Sequence, residues 1–369
     1  MRTHPLMMVP GPVACHPEVL KALAAQPLHP RDSQFVTIFR RVLQGLRGVF
    51  RAAECQPVLF NGGGLLAMEV ALANFIEPKD HILIVNNGFF GEELVHVAKC
   101  YSRNVESLTA PIGERVPLEE IQVHLDSKPF QVLAVSHVDT GSGVKAQIHQ
   151  LVQTAQNTDT LTIVDAVSSV GGEPLEQSQW GIDVCFASTQ KAIAGPPGIA
   201  LLMLSDGAMR RLDARQKPIS SIYMNLKQWI RSMQSYEAEA VPRLVSTPAT
   251  NLVAALSIAL HLIQQEGLEQ RIQRHHQNAQ QLREGISSLG LKLVPKHSDY
   301  FADTITTIHS ARHTTATKIV KHMLNQGVRI APGLGQSRED LFRIGHMGNV
   351  TSKDVSVTLS ALKKVLTTL

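Results

Sequence analysis

Between about residues 56 and 205, short apolar runs alternate with helical patterns, and this alternation is the strongest constraint on the fold. "PVLF" (57–60), "HILIVNN" (81–87), "FQVLAVSHVD" (130–139), "TLTIVDAVSS" (160–169), "VCFAS" (184–188) and "GIALLML" (198–204) read as strands. Between them, "LLAMEVALANFI" (65–76), "EELVHVAKCYS" and "AQIHQLVQTAQN" read as helices, the first apolar nearly all round. Strands that are apolar throughout, not only at alternate residues, are buried on both faces. Separated by helices, they predict an α/β fold whose mostly parallel sheet is covered on both sides.

After about residue 245 the texture changes. A long helical stretch (249–288) is rich in Gln, Arg and His. Short strands "LKLV" and "TITTIH" follow, then a helix "TATKIVKHMLNQ", strands "VRIA" and "LFRIG", and a final amphipathic helix. Thr351 and Asp354 have the spacing of a capping box at the start of that helix. This predicts a smaller α+β C-terminal domain. The expected division is an N-terminal segment (1–20) packing on the small domain, a large domain (21–250) and the small domain (251–369).

Composition excludes several classes. In 369 residues, 44% hydrophobic and 18% charged, the chain can bury a sizeable core. The net charge of +4 is spread without a block of like charges, so nucleic acid is not an expected partner. The densest basic stretch, "RIQRHHQ" (271–277), is interleaved with polar residues and reads as a solvated helix face. Cys15, Cys55, Cys100 and Cys185 are widely spaced, which reads as reduced thiols in a cytoplasmic protein. "MRTHPLMMVPGPV" lacks a signal peptide's apolar core, and no run approaches the roughly 18 apolar residues of a membrane span. His309 and His313 are four apart but flank a loop, and no HExxH or CxxC supports a metal.

In parallel α/β sheets, ligands bind beyond the carboxyl ends of the strands. Asn61-Gly62-Gly63-Gly64 stands beyond the first strand and opens a helix. Gly88, Phe89 and Phe90 follow the second, and Asp139, Thr140, Gly141 and Ser142 the third. Asp165, Ser168 and Ser169 end the fourth, and Ser188, Thr189, Gln190 and Lys191 follow the fifth. One rim thus carries an anion cradle, an aromatic plate, hydroxyls, a carboxylate and an amine. Each piece has an ordinary reading: a tight turn, a core Phe, a helix cap, a surface lysine. The set matches what pyridoxal phosphate requires. That cofactor needs an amine for a Schiff base, an acid for its pyridine nitrogen, donors for its phosphate and a flat surface. Asp165 and Lys191 are 26 positions apart (191 − 165), each at a strand end. An amine between apolar strands is also partly desolvated, which lowers its pKa and favours imine formation.

"VDAVSSVGG" (164–172) and "STQKAIAGPPG" (188–198) resemble the class V pyridoxal-phosphate aminotransferases. The branch they are most similar to is that of alanine– or serine–glyoxylate/pyruvate aminotransferases, close to 2-aminoethylphosphonate–pyruvate transaminases. "MVPGPVACHPEVLKAL", "HPRDSQF", "FNGGGLLAMEVAL" and "FRIGHMG" extend the likeness nearly end to end. The resemblance implies a type I PLP-transferase-like large domain and a homodimer with shared active sites. It implies that Lys191 forms the Schiff base and shuttles the proton, and that Asp165 pairs with the pyridinium nitrogen. Phe90 would stack on the ring, and Thr140 would contact its hydroxyl region. Gly63, Gly64 and Gln190 would hold the phosphate, with Thr247 reaching it from the partner subunit. Arg343 would grip the substrate carboxylate, a task that suits a planar guanidinium.

The implied reaction is transfer of an amino group from alanine or serine to glyoxylate or pyruvate by a ping-pong mechanism. A 2-aminoethylphosphonate donor is the alternative. The chain departs from the family pattern at Gly-Gly-Gly-Leu (62–65), at Asp139 where Glu is usual, and at Pro30. "HVDTGSG" and "RIGHMG" also resemble pyridoxamine–pyruvate aminotransferase, but Leu334 stands where that enzyme has a second arginine. Two other activities fit less well. Gly62-x-Gly64-x-x-Ala67 formally matches a dinucleotide fingerprint, yet the next strand ends in asparagines, with no acidic residue for a ribose. A cysteine desulfurase needs a mobile Cys near the C-terminal domain, and all four precede residue 186.

Overall fold

The structure, a computed structural model, describes residues 4–238, 241–311 and 314–369. His313 lies outside them. In chain order the strands are β1 (Leu6–Met7), β2 (Gln56–Asn61), β3 (His81–Asn86), β4 (Asn104–Thr109), β5 (Val132–Ser136), β6 (Leu161–Asp165), β7 (Val184–Ser188), β8 (Ile199–Leu204), β9 (Ile305–His309), β10 (Val328–Arg329), β11 (Ala331–Pro332) and β12 (Leu341–Gly345).

Seven of them form one sheet in the order β2-β8-β7-β6-β5-β3-β4. Strands β3 to β7 pair in parallel, whereas β8 is antiparallel to both its neighbours, β2 and β7. Every residue of β5, β6, β7 and β8 is buried, as their unbroken apolar character requires. Helix Gly64–Phe75 is apolar on every side because it lies over this sheet, with Met68, Val70, Leu72 and Phe75 all buried. The sheet and its helices share one continuous core that includes Val58, Ile84, Val164 and Leu201.

The structure adds elements that the apolar pattern does not show. β4, "NVESLT", sits at the sheet edge, and only Leu108 in it is buried. Its remaining residues need not be apolar, so no apolar run marks it. Helices Asp206–Ala214 and Leu226–Glu237 follow β8, and the second buries Trp229, Met233 and Tyr236. The stretch 249–288 is two helices, Thr250–Glu266 and Leu268–Ser288, broken at Gly267 with φ 83°. "LKLV" is not a strand: Leu293 makes one isolated bridge to Ile308.

β11, β12 and β9 form a separate antiparallel sheet in which Arg343 pairs with Ala331 on one side and Thr307 on the other. A second core gathers Met8, Ile308, Phe342, Ile344 and Leu362. β1 pairs in parallel with β10, Leu6 opposite Val328. Helix Ser352–Thr368 begins with a reciprocal cap: the Thr351 hydroxyl accepts from Asp354 N (3.3 Å), and the Asp354 carboxylate accepts from Thr351 N (3.1 Å). Among the described residues, no helix is long and apolar enough to cross a membrane, no His/Cys/Asp/Glu group could hold a metal, and the four cysteines are free.

Candidate active site

A cavity of about 290 Å³ opens where the carboxyl ends of β5, β6 and β7 meet the start of helix Gly64–Phe75. Asp165, Gln190 and Lys191 line it, with Thr140, Val167 and Ser168 beside them. The rest of the wall comes from two helix starts: Gly64, Leu65 and Met68 on one, Phe89, Phe90 and Glu93 on the other.

Asp165 is the last residue of β6 and is paired in register with Ser136, the last residue of β5. The Ser136 hydroxyl therefore reaches across one strand and donates to Asp165 Oδ2 at 3.1 Å. Val167 N–H donates to Oδ1 at 2.8 Å. Burial nevertheless dominates and pushes the carboxyl up to about 6, against the pull of these donors and of Lys191.

Lys191 stands three residues past β7. The turn that holds it is closed by Ala194 N–H donating to Lys191 O (2.8 Å) and Gly195 N–H to Thr189 O (2.9 Å). Among the described residues its ammonium has no hydrogen-bond or ion-pair partner. Burial, helped by the Arg343 cation, lowers it to about 8 against the opposing pull of Asp165 and Asp139.

Asp139 organises the opposite wall. Its Oδ2 accepts from Phe90 N (2.7 Å), and its Oδ1 accepts from Gly141 N (2.9 Å) and Ser142 N (2.8 Å). The carboxylate thus ties the loop after β5 to the first turn of helix Phe89–Lys99. A Cβ at Gly88, where φ is 156°, would fall 2.3 Å from Asp139 Oδ1, so only glycine fits there. Phe89 and Phe90 meet edge to face, ring centroids 5.3 Å apart.

Helix Gly64–Phe75 has Gly63 at its N-cap and no side-chain cap. Its first turn leaves backbone N–H groups without a side-chain acceptor, the usual seat of an anion. Gly64 lines the cavity; Gly63 does not. The Gln190 carbonyl accepts from the Ser188 hydroxyl, which turns its NH2 group elsewhere. Thr140 and Ser168 share a hydroxyl–hydroxyl bond. Ser169 is buried away from the cavity, its hydroxyl without a partner among the described residues.

Besides Gly63, two expected residues lie outside the cavity wall. Arg343 sits behind Thr140, 7% exposed, with Nε donating to Pro332 O (2.8 Å) and Nη1 to Thr140 O (3.2 Å). Burial brings its guanidinium down to about 10, and no carboxylate among the described residues is in ion-pair contact with it. Thr247 is exposed, and its carbonyl accepts from Asn61 Nδ2 at 2.8 Å. Conversely, Met68 and Glu93 line the site without having been singled out. Their signal was helical spacing: Met68 follows Leu65 by three positions, and Glu93 follows Phe90 by three.

The sequence model of the aminotransferase class-V family matches residues 17–343. The chain belongs to this family. A 30% identical relative, alanine–glyoxylate aminotransferase 1 of Saccharomyces cerevisiae, aligns over 93% of this chain and 91% of its own. An L-aspartate–glyoxylate aminotransferase of Paracoccus denitrificans is 29% identical over 94% of this chain and 87% of its own. The crystal structure of an alanine–glyoxylate aminotransferase from Nostoc sp. superposes with a TM-score of 0.93 at 30% identity, covering 99% of this chain and 96% of that one. As a class-V aminotransferase, the chain moves an amino group between an amino acid and an oxoacid, with pyridoxal phosphate as cofactor.

The residues present fit that cofactor. The cavity offers an uncapped helix start for a phosphate, a buried carboxylate whose charge a cation would stabilise, and an amine with no hydrogen-bond or ion-pair partner among the described residues. The dinucleotide reading lapses with the match to the aminotransferase class-V family over residues 17–343.

Proposed function

We propose that the chain transfers the amino group of a small α-amino acid, alanine or serine, to glyoxylate or pyruvate in two alternating half-reactions. When bound, pyridoxal phosphate supplies the ring that takes up the amino group and carries it between them. Lys191 holds the cofactor through Nζ and, once free, moves the proton at the substrate α carbon. Its lowered pKa supports the reading, since only a neutral amine attacks a carbonyl or takes a proton. Asp165 holds the proton on the ring nitrogen. Phe90 backs the ring, Thr140 lies beside its hydroxyl, and Gly63, Gly64 and Gln190 take the phosphate.

One observation carries the choice of substrate class. Arg343 is a buried guanidinium fixed by two backbone carbonyls, near enough to Lys191 to oppose its charge, and with no carboxylate in ion-pair contact among the described residues, Asp139 attracting it only from a distance. Burying a cation unpaired is unfavourable unless a ligand supplies the anion. An α-carboxylate fits bidentately. The names of the relatives, in which alanine, aspartate and glyoxylate recur, agree with an amino acid and a short oxoacid.

We further read the active unit as a cytoplasmic homodimer in which Thr247 serves the neighbouring phosphate. Its exposure, away from the cavity of its own chain, supports that role. The test of the whole reading is spectral. Holoenzyme is mixed with alanine, serine or 2-aminoethylphosphonate, and the visible cofactor band is followed. Loss of the band with alanine or serine, and its return on adding glyoxylate or pyruvate, is the expected result. Bleaching by 2-aminoethylphosphonate alone would overturn it.

A further inference from the structure

The N-terminal segment that follows β1 passes between the small sheet and Lys191. Met8 is fully buried in the second core, and its carbonyl accepts from Gly345 N at the end of β12 (3.0 Å). The two backbones are so close that a Cβ at Gly345 would lie 2.2 Å from Val9 O. The segment then crosses the lysine. A Cβ at Gly11 would lie 2.8 Å from Lys191 Cδ, 3.1 Å from Cε and 3.3 Å from Gln190 O. Two residues later, Val13 N–H donates to Gln190 O at 3.0 Å. Val13 packs with Ala192, Ala194 and Met347 in a small cluster of its own. The methylenes of Lys191 are therefore roofed by backbone at a point where no side chain fits.

We infer that residues 8–13 form a strap that positions the Lys191 amine, with Gly11 as the contact that sets its place. The inference rests on Lys191 being the cofactor-bearing amine. Gly11 touches neither substrate nor cofactor in this account; it acts through the lysine side chain. Because the strap is anchored beside Arg343's strand, it also ties the position of the carboxylate-binding arginine to that of the amine. Adding one methyl at residue 11 pushes on Cδ directly, since the side chain is the part free to move. The roof opens, water reaches the amine, and its charged form is favoured.

The test is a pH titration of the visible band of holoenzyme, followed on the same samples by borohydride reduction and mapping of the pyridoxyl label. Three variants are compared with wild type. Gly11→Ala adds the methyl. Val13→Ala loosens the strap without adding atoms and covers the case in which Gly11→Ala fails to fold. Gly267→Ala imposes a comparable backbone strain, at φ 83°, outside the cavity wall and the strap. Gly11→Ala or Val13→Ala should move the midpoint upward by about one pH unit, the usual scale of environmental effects on a side-chain pKa. Gly267→Ala should titrate as wild type. A label on Lys191 with wild-type midpoints in the folded strap variants would overturn this inference alone. A label on another lysine would overturn the functional reading and the strap together.

Discussion

Arg343 opposes the charge of Lys191 from the neighbouring sheet, and its own charge is not neutralised by any carboxylate in ion-pair contact among the described residues. The two cations share one region of the fold at a cost that an arriving carboxylate relieves. Arg343→Gln should therefore reduce kcat/KM for α-amino acids and oxoacids by ~2–5 kcal/mol, the range for breaking a buried charge pair. Arg343→Lys should fail nearly as badly, because a point charge cannot make the two-pronged contact. The same Arg343→Gln change removes a cation from beside Lys191. The pH at which apoenzyme captures the cofactor should then rise, readable as the midpoint of the capture rate against pH.

Asp165 carries a stability cost in the cofactor-free chain. Its folded pKa, about 6, lies above the ordinary value of 3.8, so the folded state holds the proton more tightly than the unfolded state does. The ionised carboxylate therefore destabilises apoenzyme above about pH 6. That penalty fades as pH falls through the window from 6 to 4. Apo Asp165→Asn should melt above apo wild type at pH 8, and the gap should close by pH 4. In the holoenzyme the order should reverse, with the variant losing orders of magnitude in turnover. Equal melting temperatures at pH 8 would contradict this account of the site.

Asp139 gathers N–H donors from Phe90, Gly141 and Ser142. Asp139→Asn turns one acceptor oxygen into an NH2 that faces donors. Leaving a buried donor unmatched costs roughly 1–3 kcal/mol. Thermal unfolding of apoenzyme should shift down accordingly. Cofactor release should also quicken, because the start of helix Phe89–Lys99 and both its aromatic rings depend on that carboxylate.

Shared sites can be tested by complementation. On the shared-site proposal, the Lys191→Ala and Thr247→Val proteins should each be impaired, the second through weaker cofactor retention. In a mixed dimer, one of the two sites regains both native residues. Random subunit exchange should then restore about a quarter of wild-type sites. No recovery after demonstrated exchange would place Thr247 outside the partner's site.

The large sheet was legible because its strands are buried on both faces, so that burial imprints itself on every residue of "LTIVD" and "VCFAS". β4 was not, because an edge strand with one buried residue has no such imprint. The long helix after residue 249 was read as continuous because a single glycine, Gly267, is weak punctuation beside the apolar spacing on either side of it. Asp165 and Lys191 could be proposed from position alone, one ending β6 and the other following β7 by three residues on the same rim. Arg343 is 152 positions beyond Lys191 (343 − 191) and came only through the resemblance, since nothing local tells a buried arginine on a short strand from a surface one. Gly11 was hidden for a related reason. Its contact is with a side chain 180 positions away (191 − 11), and a missing Cβ leaves no pattern.

The pairing of β1 with β10 also orders events during synthesis. Leu6 leaves the ribosome well before its partner, Val328, which comes 322 positions later (328 − 6). Until then the strand that leads to Gly11 has nothing to pair with, while the seven-stranded sheet, complete at Leu204, is already free to form. A nascent chain can thus possess Asp165, Lys191 and the glycine cradle with the lysine still unroofed. Completion of the site waits on Val328, so a segment made before the large sheet takes its place after it.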